Sequence, residues 1–237
     1  MRPLIAALAL AGAVSFPAHA APKAYPPVSQ YLMASEEEIA FARSAAPANV
    51  SGPATVEVLT PKGYVVAQKG TNGFVCLVGR GFTAPTYTPK MFLDLVYDPT
   101  VRAPICFNGL AARQVLPYYA LRTELGLKGA SPDQIRKGVE DAYRTGKLPK
   151  RTGVSFAYMW SANQNLGPGV GHWHPHMMVF SPGLDNAMLG NNEFGAPLPQ
   201  VTDDAGTPFS VVVVPVSPSL AVGHHDDAAG MPPHGQH

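Results

Sequence analysis

Cysteine is scarce in this chain of 237 residues: Cys76 and Cys106 are the only two. Their wide spacing rules out the Cys-x-x-Cys arrangement that tunes a reactive thiolate. A surplus of one charge is also missing. Taking residues 1–20 away removes Arg2 from the 17 basic residues and leaves 16 against 16 acidic ones. Nothing in this balance resembles the basic face expected of a nucleic-acid binder. Beyond the first twenty residues no apolar run approaches the roughly 20 residues needed to cross a bilayer, so the mature chain carries no membrane span. The Gly-x-Ser-x-Gly elbow, the His-Glu-x-x-His helix and the Walker loop are absent, which counts against several familiar enzyme classes. No internal repeat is present.

What the chain does have begins with an export signal. Arg2 gives a positive start, Leu4 to Val14 an apolar core, and Ala18-His19-Ala20 a cleavage site before Ala21. The expectation is a periplasmic or secreted protein. The residue immediately after the cleavage site is Ala21 and not a cysteine, so a lipid anchor is not expected. In an oxidising compartment the even cysteine count predicts a Cys76–Cys106 disulfide. It would close a loop of about 31 residues and contribute about 3–4 kcal/mol in the chain-entropy model. The alternative is a thiol pair acting as a redox couple or as metal ligands.

Residues 21–34 contain Pro22, Pro26 and Pro27 and read as an extended lead-in. Ser35-Glu36-Glu37-Glu38 predicts a capping box opening a helix that Pro47 stops. Strands are expected over 55–59, 64–67 and 74–78, with Asn72-Gly73 as a hairpin turn, making an antiparallel meander. Asn108 caps a helix reaching Leu125 that Pro117 restarts or bends, and Ser131-Pro132-Asp133 opens another helix reaching Thr145. Further strands are expected over 154–160, 172–180 and 209–216. The glycine-rich 165–171 stretch reads as a strand connection. Residues 221–237, with His224, His225, Asp226, Asp227, His234 and His237, read as a disordered tail. The expected architecture is one α+β domain over 35–220, an antiparallel sheet of about six strands with helices packed against it.

The chemistry concentrates in Gly171-His172-Trp173-His174-Pro175-His176. In an extended strand His172, His174 and His176 share one face and can converge on an ion. Imidazole favours zinc or copper over calcium. Asp94, Asp185 and Glu193 are carboxylates that can complete the set, and an open position holding water would permit metal-assisted hydrolysis. Pro175 cannot donate to a sheet ladder, so the strand is at an edge or irregular there. Two other readings stay open: imidazoles donating to backbone carbonyls beside Trp173, and metal-free acid–base catalysis. A different class of function is a non-catalytic module, in which Trp173, Tyr158 and Trp160 offer aromatic surface to a small molecule or protein partner.

Three phrases resemble a family of uncharacterised exported bacterial proteins. They are Asn72-Gly73-Phe74-Val75-Cys76, Arg102-Ala103-Pro104-Ile105-Cys106-Phe107-Asn108, and Gly169-Val170-Gly171-His172-Trp173-His174-Pro175-His176. The resemblance covers most of the mature chain. It implies bacterial export and a single domain, and brings no activity, substrate or cofactor with it.

Overall fold

The computed structural model of the chain describes residues 25–83, 95–168, 171–192 and 196–223. The elements in chain order are α1 (Ser35–Arg43), α2 (Ala48–Ser51), β1 (Thr55–Thr60), β2 (Gly63–Gln68), β3 (Val75–Gly79), β4 (Ala103–Phe107), α3 (Gly109–Gln114), α4 (Leu116–Leu127), α5 (Pro132–Arg144), β5 (Ser155–Met159), β6 (His176–Phe180), β7 (Gln200–Asp203) and β8 (Val211–Pro215). The α+β class is as expected. The sheet differs: it has eight strands in the order β2-β1-β3-β4-β5-β6-β8-β7, and it is mixed.

The parallel pair is β1 with β3, where Thr55 stands beside Val75 and Val56 beside Cys76. The expected three-strand meander therefore stops after the β1–β2 hairpin. Asn72-Gly73 does not turn a hairpin; its segment carries the chain back across the start of β1. The Thr71 amide donates to the Pro53 carbonyl at 2.8 Å, and the Thr55 amide to the Phe74 carbonyl at 2.9 Å. Gly70 permits this crossing, because a Cβ there would lie 2.2 Å from the Ala54 carbonyl carbon. Two strands escaped the sequence pattern: β4 is buried at all five positions and shows no alternation, and β7 spans only four residues.

One face of the sheet meets α3, α4 and α5. Leu77, Ile105, Phe107, Ala157, Met159, Met178, Phe180, Val211 and Val213 pack there against Val115, Tyr118, Tyr119 and Val139. The opposite face, over β1, β3 and β4, meets Ile39 and Ala42 of α1 through Val56, Cys76, Val78 and Cys106. Cys76 and Cys106 stand directly opposite in the β3–β4 ladder and are bonded. The bridge is as expected, and it joins two neighbouring strands inside the sheet.

Helix signals near α4 and α5 hold. Asn108 accepts from the Ala111 amide at 2.8 Å. Ser131 and Gln134 form a reciprocal capping box, with proline in the first turn. Pro117 starts α4 and separates it from α3. The capping box expected at Ser35 does not form: Ala34 is the N-cap and no side chain caps it. Glu38 is needed elsewhere. Fully buried, it pairs with Arg80 at 2.9 Å and accepts from the Leu59 amide at 3.1 Å. Burial pushes its carboxyl above the ordinary range, with Arg80 pulling the other way.

Candidate functional site

His176 opens β6, opposite Met159 on one side and Pro215 on the other. The strand begins there and not at His172. Gly171 stands at φ 62°, and Pro175 has no amide to give. The carbonyls of Trp173 and His174 are taken by the buried side-chain amide of Gln164, at 2.9 and 3.2 Å. The Pro175 carbonyl accepts from the Val216 amide at 3.0 Å. Residues 171–175 are thus pinned as an irregular approach, so strand alternation does not align the three imidazoles. His172 is exposed, His174 half-buried and His176 buried.

The His176 ring is prepared in one tautomer. Its Nδ1 lies 2.8 Å from the His174 carbonyl, which only accepts, so Nδ1 carries the proton and the Nε2 lone pair is left bare. Burial lowers its pKa from 6.5 to about 4, while the bond to His174 pulls upward. The indole of Trp173 stands edge-on at 4.7 Å. A neutral imidazole with Nδ1–H on a carbonyl is what a metal ligand requires. Among the described residues, however, no three His, Cys, Asp or Glu side chains gather into a group able to hold an ion. Asp185 is engaged locally, accepting from the Met188 amide at 3.0 Å. Asp94, Glu193 and the histidines from His224 onward lie outside the described residues.

The aromatic residues of the second reading do not form one surface. Trp173 packs on the helix-covered face, Tyr158 on the face that α1 covers. Trp160 meets Tyr158 at 5.1 Å.

A second polar centre, which the histidine pattern did not indicate, lies on the helix-covered face at the far end of β6. Arg122 of α4 is fully buried, and its Nε donates to the Thr83 carbonyl at 3.2 Å. Tyr118 donates to Asp204 at 3.2 Å. Burial raises the Asp204 carboxyl from 3.8 to about 6, and Arg122, the Tyr118 bond and Arg151 only partly offset that. The Arg151 guanidinium sits 5.4 Å from the Tyr118 ring centre, 5.3 Å from Phe180 and 5.6 Å from Phe209. Both its terminal nitrogens are shielded from solvent and have no hydrogen-bond partner. Aromatic faces return on the order of 2 kcal/mol to a desolvated cation but accept no in-plane hydrogen bond. Leaving a buried charge unpaired costs about 3–5 kcal/mol. The visible clue in the sequence was Arg122 on the stripe Tyr118, Tyr119, Arg122, Thr123, Gly126, an otherwise buried helix face.

An aromatic hollow of about 330 Å³ is lined by Tyr25, Tyr31, Phe82, Tyr97 and Lys128, among others. The Tyr31 hydroxyl donates to the Tyr97 carbonyl at 2.7 Å, and Lys128 pairs with Glu124 at 2.5 Å. No helix among the described residues is long and apolar enough to cross a membrane. No protein-family model, curated protein or solved structure matches this chain.

Proposed function

We propose that this is an exported protein that binds a transition-metal ion, zinc or copper, at the entrance to β6. His176 Nε2 is the anchoring ligand, with His174 and His172 of the irregular approach as the further ligands. The observation that carries the reading is the His176 ring itself: its proton is fixed on Nδ1 by the His174 carbonyl, and burial keeps it neutral far below pH 7. A ligand that need not lose a proton binds an ion without competition from acid. The disulfide supports the export half of the reading, since such bonds persist in oxidising compartments. One prepared imidazole supports binding; it does not support a hydrolytic step, and none is assigned.

The test is titration of untagged protein with zinc and with copper, followed by calorimetry. Wild-type protein is expected to take up one ion. His176→Gln, which keeps a hydrogen-bonding side chain, and His174→Ala should each weaken uptake at least tenfold with unchanged circular dichroism. Wild-type protein that binds neither metal sinks the reading, as do variants that bind as well as wild type.

A further inference from the structure

Arg151 lies between α5 and β5, in an exposed stretch from Pro149 to Val154, yet its guanidinium turns inward among Tyr118, Phe180 and Phe209. Its two terminal nitrogens are buried and unpartnered. A second orphan stands close by. Ser155 is fully buried, its Oγ has no partner, and it is the cross-strand neighbour of Phe180. Directly opposed residues in an antiparallel pair hold their Cβ atoms about 5 Å apart. The guanidinium lies over the Phe180 ring, and Ser155 stands beside Phe180 in the sheet. Both have protons to donate, so the group that satisfies both is an acceptor.

The charge balance points the same way. Among the described residues Asp204 is the carboxylate that acts on Arg151, and burial pushes that carboxyl toward its neutral form. Asp204 is held across Tyr118 and makes no hydrogen bond to Arg151. A water molecule can accept a hydrogen bond but cannot neutralise the Arg151 guanidinium, whose terminal nitrogens have no partner. Rings on three sides suit an apolar body attached to the anion, and a planar carboxylate matches the fork of a guanidinium with two parallel bonds.

We propose that Arg151, with Ser155 beside it and Arg122 behind Tyr118, forms a binding site for the carboxylate of a small organic acid whose apolar part lies against Phe180 and Phe209. This site shares no residue with the histidine approach to β6.

The probes are benzoate, acetate and inorganic phosphate, added to the full chain at constant ionic strength, with chloride as the reference. Benzoate should raise the melting temperature by roughly 5 °C at a hundredfold excess over its dissociation constant, and acetate less. Arg151→Met should abolish that response while its own melting temperature without ligand equals or exceeds that of wild type, because an uncompensated charge has been removed. A purely structural arginine would instead lower it. Arg151→Lys keeps the charge without the fork and should bind benzoate at least tenfold more weakly. It also identifies the Arg151 Nε–H resonance, which should move when benzoate is added to wild type. Four outcomes overturn the proposal: no benzoate response in wild type, an equal response in Arg151→Met, an Arg151 resonance that stays in place, or a response to phosphate alone.

Discussion

His176 and Asp204 are buried groups, 3% and 9% exposed, whose protons are displaced in opposite senses. The imidazole falls from 6.5 to about 4. Between those values the unfolded chain takes up a proton that the folded chain refuses. Its contribution to stability is whole above pH 6.5 and is lost as pH falls toward 4, about 3 kcal/mol in all. The Asp204 carboxyl rises from 3.8 to about 6. Here the folded chain keeps a proton that the unfolded chain gives up. That contribution is whole below pH 3.8 and is lost as pH rises through 6, again about 3 kcal/mol. Urea unfolding of wild type, His176→Gln and Asp204→Asn at intervals from pH 4 to 7 separates the two. Stability of wild type relative to His176→Gln should grow with pH, and relative to Asp204→Asn it should shrink. Variants whose curves run parallel to wild type would show that neither proton is held as described. The histidines were legible in the sequence as a group, but their geometry was not. Alternation presumes a strand, and Gln164, ten residues before His174, takes the carbonyls that a strand would have offered to its neighbour.

Among the elements, Gly70 decides the arrangement of the first three strands. The segment after β2 passes so close to the start of β1 that a methyl group at this position would meet backbone atoms at 2.2 Å. Gly70→Ala must therefore push apart the crossing that places β3 parallel to β1. The expected loss is about 3 kcal/mol or more, measured as a lower urea midpoint with an unchanged slope. Ser131→Ala, which removes one half of the α5 capping box, should cost only about 1 kcal/mol by the same measurement. If the two losses are alike, the crossing is looser than its contacts imply. Local signals were easy to read, since Asn108, Ser131 and Pro117 act within a few residues of where they stand. Strand order was not, because an Asn-Gly pair marks a turn without saying which partner the chain turns toward. The glutamate at the start of α1 misled for a related reason. Its partner, Arg80, is 42 positions away.

Across the whole molecule a chain of buried polar contacts runs from α1 to the end of β7. Glu38 holds Arg80, and Arg80 and Tyr64 both donate to the Val78 carbonyl. Tyr64 reaches Thr83, Thr83 meets Thr123, and Arg122 donates to the Thr83 carbonyl and to Tyr118, which holds Asp204. Apart from Arg122 on its helix stripe, none of this showed in composition or periodicity, because each other member sits where an apolar residue would satisfy the same pattern. The sequence could place Arg122 on a helix; only the fold shows what faces it.

The disulfide, finally, has a consequence in time. Cys76 and Cys106 are both 0% exposed, in adjacent strands of a sheet whose face is closed there by α1. No oxidant can reach two sulfurs so enclosed, so the bond must be made while that face is still open. By the same reasoning a small thiol reductant can break it only when the sheet comes apart. The rate of reduction should therefore level off as reductant concentration rises, at the rate of global unfolding measured in the same buffer. A rate that keeps climbing would mean that the bond is reached through a smaller opening. If it levels off, the bond keeps the history of the molecule's assembly: it dates from before α1 settled into place, and it lasts as long as that first packing does.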